Sequence, residues 1–256
     1  MCRMAAYIGP ELSLEQFLFA PPHNLVEQAW RPREMTVGHL NADGYGFSWY
    51  VNRQACRFVS PFPIWGDTNL PSLGHSLRSA IWLGAVRGAS LGFPAHPANT
   101  QPFVANTLSF LHNGHIDEFG MHVRGRMRAL LDPLTESSIE GTTDSEYLFA
   151  LLRQVSPPDT TLEDQVRALD RALSPCLGGR TALLNLLVSD GDTITALRHA
   201  SSATPPSLYY TESDPQFPDG TLICSEPMTD APGWRPVPPH TILTVTREQS
   251  ICIRPL

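Results

Sequence analysis

The chain contains no lysine: all 18 of its basic residues are arginine. Chemistry that needs an ammonium side chain is thereby excluded, namely Schiff-base catalysis, pyridoxal phosphate anchoring and a Walker-type phosphate loop. The sequence also lacks any apolar run of the ~18 residues that a spanning helix requires, so no membrane partner is expected. The opening stretch MCRMAAYIGPEL has no basic flank leading into an apolar segment, and no secretory signal is read there. Its cysteines, at positions 2, 56, 176, 224 and 252, are odd in number and form no CxxC. That pattern argues against a disulfide framework or a structural zinc, and leaves Cys56, Cys176, Cys224 and Cys252 as small core hydrophobes. A formal net charge of −7 without a basic stripe argues against nucleic acid. A soluble cytoplasmic protein is the expectation.

What is present is a chain of 256 residues with 42% hydrophobic content, enough for a substantial core. Strand-like runs are read at 2–8, 45–51, 56–59, 81–87 and 103–112, then at 181–189, 193–199, 207–211, 221–225 and 241–246. Ser13 and Gln16 form a capping box opening a helix to Ala20, which Pro21-Pro22 ends. Helical character recurs at 119–131. A second capping box, Thr143-Asp144-Ser145-Glu146, opens a helix to about Val155. Another begins near Thr161 and aligns Leu162, Val166, Leu169 and Leu173 on one face. The 24 prolines are expected to fall in the connectors. Strand follows strand too often for a doubly wound sheet, so the expected class is α+β, in a single domain spanning 1–256.

Cys2 directly follows the initiator Met1, and Met is removed when the next side chain is small. The new terminus would carry a thiol of ordinary pKa ~8.5 and an α-amino group of ~7.7–8.0, a nucleophile and a base on one residue. The alternative is that Cys2 is an accident of the start. A cysteine that attacks an amide needs donors for the developing oxyanion, and Asn113 beside Gly114 in His112-Asn113-Gly114-His115 offers a side-chain amide and a backbone N–H. Asn-Gly is equally a hairpin signal. Arg87 ends an apolar strand and suits a substrate carboxylate through its planar fork. Asp144 fits either a helix N-terminus or a counter-charge to a substrate ammonium. In NADGYGF at 41–47, two glycines before a strand permit close backbone approach near the nucleophile, and no nucleotide fingerprint is present. His112 and His115 have neither a helix nor a third ligand to make a metal site. Trp49, Trp65 and Trp82 are read as core, with Tyr45 somewhat better placed for a ligand.

The ordered set MCR, NADGYGFSWY, AVRGAS, NTQPF, FLHNGHI and GTTDSE resembles the class II glutamine amidotransferases, which are N-terminal-nucleophile hydrolases. The resemblance implies a four-layer αββα sandwich of two antiparallel sheets. Further segments, QAWRPREM, PIWGD and CSEPMTDAPGW, resemble the family's stand-alone amidohydrolases of ergothioneine biosynthesis. That branch implies hydrolysis of the γ-glutamyl amide of a hercynylcysteine sulfoxide. Carried over, Cys2 is the nucleophile with its own α-amino group as base, and Asn113 and Gly114 form the oxyanion hole. Arg87 takes the α-carboxylate and Asp144 the α-amino group of a small-molecule γ-glutamyl substrate. Ser90 stands where the family often has Thr, and keeps the hydroxyl of that substrate-binding segment. Gln101 stands where many members have His, which leaves the role of its loop open. The resemblance implies no metal or organic cofactor and leaves homo-oligomerisation open. The alternative within the family is a glutaminase that releases ammonia for a partner synthase.

Overall fold

The computed structural model describes residues 2–35, 38–89, 93–156, 159–212 and 214–256. Thirteen strands are described: β1 (Arg3–Ser13), β2 (Tyr45–Val51), β3 (Gln54–Ser60), β4 (Arg78–Val86), β5 (Phe103–Ala105), β6 (Leu108–Ile116), β7 (Ala182–Ser189), β8 (Thr193–Ala200), β9 (Tyr209–Thr211), β10 (Thr221–Cys224), β11 (Arg235–Pro236), β12 (Thr241–Thr246) and β13 (Ile251–Pro255). The helices are α1 (Leu14–Leu18), α2 (Leu25–Trp30), α3 (Leu70–Ser76), α4 (Arg124–Arg128), α5 (Pro133–Ser137), α6 (Asp144–Val155) and α7 (Leu162–Leu177). One sheet has the order β11-β9-β10-β1-β4-β2-β3, and the other β13-β12-β8-β7-β6-β5.

Period-two alternation explains why the sheets stack. In β1, Met4, Ala6 and Ile8 point at the second sheet and meet Leu111, Leu187, Ala196 and Leu243. Ala5 and Tyr7 point the other way and pack with Phe17, Leu18 and Leu25 of α1 and α2. The outer face of the second sheet carries Phe110, Leu184, Leu186 and Leu197 under α6 and α7. The four layers are therefore helix, sheet, sheet, helix, with the sheets antiparallel throughout. This is the αββα sandwich that the resemblance implied.

The first capping box is complete in the structure. The Ser13–Gln16 box is formed in both directions, with Gln16 N–H donating to Ser13 Oγ and Ser13 N–H to Gln16 Oε1. The second box is only half formed. Thr143 Oγ1 accepts from Glu146 N–H, but the Glu146 carboxylate turns away to accept from Glu140 N–H at 2.8 Å and Gly141 N–H at 2.7 Å. Those buried loop donors need a partner more than the helix end does. The run 103–112 is two strands, turning at Asn106-Thr107, where Asn106 has a positive φ of 53°. The helical stretch at 119–131 is a wide turn over Phe119–Val123 followed by the short α4. Helices α2, α3 and α5 and strands β11 and β13 were not read from sequence. For α2 a signal existed, because Asn24 accepts from Glu27 N–H as an N-cap. Cys176 and Cys224 are buried as expected, whereas Cys56 and Cys252 are half-exposed on strands at sheet edges.

Candidate active site

The turn reading of Asn113-Gly114 is overturned: both lie within β6, paired with Asn185 and Leu184 of β7. Alternation aims Asn113 between the sheets with Leu111, and His112 and Gly114 toward the helices. Asn113 is fully buried, and among the described residues neither its Nδ2 nor its Oδ1 has a hydrogen-bond partner. An unsatisfied buried amide costs about 1–3 kcal/mol, so it stands out as a group awaiting a partner. Gly114 is required by space. A Cβ there would stand 1.8 Å from Leu183 O and 2.7 Å from His112 Nε2.

Cys2 immediately precedes β1 and by alternation shares the inter-sheet face of Met4 and Ala6. Its main chain is held from the opposite face. The buried Arg3 donates from Nε to Cys2 O at 2.7 Å and from Nη1 to Glu226 Oε1 at 2.8 Å. Glu226 also accepts from His23 Nε2 at 2.8 Å and from the N–H groups of Arg33 and Glu34. Burial alone would raise this carboxyl. The His23 bond, the two main-chain donors and the Arg3 charge outweigh it and bring its pKa to about 2.

A cavity of about 240 Å³ brings together Cys2, Arg87, Phe93, Gln101, His112 and Gly114. Arg87 follows β4, where its N–H donates to Gly44 O at 2.7 Å and its carbonyl accepts from Asp43 N–H. Its Nη1 donates to Asp43 O and Pro94 O, and its Nη2 to Phe93 O. Among the described residues three of its five N–H groups are thus engaged, and the remaining two have the fork geometry that suits a carboxylate. Burial lowers its pKa, while negative charge from Cys2, Asp43 and Asp144 works in the opposite sense. Asp144 opens α6, accepting from Ile116 N–H at 2.9 Å and Ser145 N–H at 2.8 Å, and its neighbours Thr143 and Ser145 line the cavity. Ser90 lies outside the described residues.

His112 is buried and its pKa is depressed by desolvation. Leu183 O can only accept, so Nε2 carries the proton and Nδ1 accepts from Ser145 Oγ at 2.9 Å. His115 instead faces Asp117 near solvent. Tyr45 does not approach the cavity. It lies in the helix-side core with its hydroxyl donating to Asp67. Of the tryptophans, Trp82 is fully buried and Trp49 half-buried, but Trp65 is exposed and stacks on Trp30, against the core reading.

Two residues that sequence reasoning did not place are part of the site. Asp43 accepts from Ala89 N–H at 2.7 Å and fixes the segment after Arg87. The signal lies in NADGYGF, whose two glycines permit close backbone approach. That approach is to the Thr100-Gln101 segment: a Cβ on Gly46 would lie 2.4 Å from Gln101 O. Gln101 in turn bonds the main chain of His112 through both ends of its amide.

The model of the class II glutamine amidotransferases matches residues 27–218, which include Arg87, Asn113, Gly114 and Asp144. The γ-glutamyl-hercynylcysteine sulfoxide hydrolase of Mycolicibacterium smegmatis is 32% identical over 259 residues, covering 100% of both chains. Among solved structures, a glutamine aminotransferase class-II domain protein from Silicibacter pomeroyi superposes with a TM-score of 0.72 at 26% identity, covering 100% of this chain and 99% of that one. Glutamine phosphoribosylpyrophosphate amidotransferase from Bacillus subtilis gives a TM-score of 0.69 at 16% identity, covering 99% of this chain and 49% of that one, a likeness of fold.

Proposed function

This chain belongs to the class II glutamine amidotransferases, and from that premise we propose that it hydrolyses the γ-glutamyl amide of a hercynylcysteine sulfoxide, releasing glutamate. The observation that carries the reading is the meeting of Cys2, Arg87 and Gly114, distant in sequence, around one cavity. The full-length likeness to a relative named for that reaction supports the substrate.

In this reading Met1 is removed and the α-amino group of Cys2 takes the thiol proton, directly or through a water. The thiolate attacks the γ-carbonyl carbon, and the oxyanion accepts from the Asn113 side-chain amide and the Gly114 N–H. The C–N bond breaks as the ammonium returns its proton to the departing amine. Water, deprotonated by the same amino group, then cleaves the glutamyl thioester and regenerates the thiol. Arg87 and Asp144 hold the α-carboxylate and α-ammonium of the glutamyl group. These roles need no metal or organic cofactor.

The test is glutamate release from three substrates: glutamine, γ-glutamylcysteine and γ-glutamyl-hercynylcysteine sulfoxide. The sulfoxide should give the highest kcat/KM, and Cys2→Ala should abolish turnover of all three while leaving the melting temperature in place. Ammonia release from glutamine at a comparable kcat/KM would instead favour the synthase-feeding glutaminase.

A further inference from the structure

We propose that Gln101 is a positioning residue: its side-chain amide completes the unpaired edge of β6 and thereby sets where the Asn113 and Gly114 donors lie. The proposal rests on the hydrolase reading above for its kinetic consequence. Its structural half stands alone.

The two edges of β6 are held differently. Toward β7 the ladder is continuous, from Ser109 opposite Ser189 to Ile116 opposite Ala182. Toward β5 it consists of Ala105, Val104 and Phe103 opposite Leu108, Ser109 and Phe110. Continuing that register would bring residue 101 opposite His112. Pro102 falls opposite Leu111, at a position whose main-chain groups point away from β6, its carbonyl accepting from Arg57 Nη1, and among the described residues the ladder stops at Phe103 opposite Phe110. The Gln101 side chain takes over instead. Its Nε2 donates to His112 O at 2.9 Å and its Oε1 accepts from His112 N–H. One primary amide thus supplies both the donor and the acceptor that a neighbouring strand would offer.

The amide can act in this way because its own backbone is wedged in place. A Cβ at Gly46 would lie 2.4 Å from Gln101 O, and one at Gly44 2.9 Å from Thr100 Oγ1. Bare Gly46 in β2 and Gly44 just before it therefore let the 100–101 segment press between that strand and β6. Gln101 itself is buried and lines the same cavity as Cys2.

The clamp acts next to the residue that most needs it. Asn113 has no side-chain partner among the described residues, so the course of the β6 backbone decides where its amide points. Gln101 grips the residue immediately before it. Donors that act on a developing oxyanion are sensitive to displacement, and a shift of about 1 Å can reduce the rate about a hundredfold.

Gln101→Met keeps volume and removes both bonds, and Gln101→Glu keeps the acceptor while removing the donor. For Gln101→Met with the sulfoxide substrate, kcat should fall about a hundredfold with KM within about twofold. Alkylation of Cys2 by iodoacetamide, which develops no oxyanion, should keep its rate. Hydrogen exchange should quicken across 110–116 and remain unchanged across β7 and β8. Gln101→Glu, close in shape but setting a carboxylate oxygen against His112 O, should show the same pattern, and serves if the methionine variant does not fold. A kcat near wild type, or alkylation slowed in proportion to kcat, would overturn the proposal. Unchanged exchange at 110–116 would overturn it too, even if the wild-type protein released no glutamate. In that last case the hydrolase reading alone fails, and the exchange experiment still decides the clamp.

Discussion

Asn113 is costly to the fold, and under the proposed mechanism that cost serves the site. Its amide is buried without a partner among the described residues, which ordinary packing would select against. Replacing it with leucine of similar size should therefore separate the two contributions. For Asn113→Leu, kcat should fall by about 10²–10³, the usual loss for one oxyanion donor. The melting temperature should stay level or rise, since an orphaned polar group has been removed. A parallel loss of stability and activity would mean that the amide serves packing. The residue type was legible in sequence, but its environment was not. Asn-Gly is as good a turn as it is a pair of donors, and only strand pairing distinguishes them.

At the scale of elements, β6 and β7 approach so closely that glycine is needed at position 114, because a methyl there would collide with the Leu183 carbonyl. Gly114→Ala should destabilise the protein by about 1–3 kcal/mol, as overpacking generally does, measurable by denaturant unfolding. A variant as stable as wild type would show that β7 can retreat at no cost. The apolar alternation of β7, β8 and β12 and the complete capping box at Ser13 were readable because each depends on neighbours within a few residues. The second box, expected at Thr143, is one-sided in the structure. Glu146 found stronger claims on its carboxylate in the N–H groups of Glu140 and Gly141. Helix α5 does carry a local signal, an Asp132 N-cap that accepts from Thr135 N–H with Pro133 at the first helical position, whereas α3 has no side-chain cap.

Over the whole molecule, Arg3 and Glu226 join the first strand to the segment after β10 through a fully buried ion pair. Glu226 also secures His23 and the 33–34 segment, so four regions meet at one carboxylate. Removing its charge leaves Arg3 buried and unpaired, and Glu226→Gln should cost about 3–5 kcal/mol at neutral pH. The pH dependence has a definite sign. The folded pKa of about 2 lies below the ordinary glutamate value of ~4.3, so the stabilisation is complete above the latter. It is lost as the pH falls toward 2. The gap in melting temperature between wild type and Glu226→Gln should therefore be constant from pH 7 to about pH 5 and narrow below that. A gap unchanged down to pH 2 would mean the carboxylate contributes no net charge interaction. The sequence alone determined which chemistries were available, through a cysteine at position 2, the absence of lysine and the arginine, asparagine and aspartate of the family-like motifs. It also determined most strands, since alternation and capping are encoded locally. Which groups face one another was decided by tertiary structure: the Gln101 amide on His112, the Glu226 carboxylate on Arg3, and Asn113 inside a strand. Each depends on register between segments far apart in the chain, and a register is fixed only when both partners have folded.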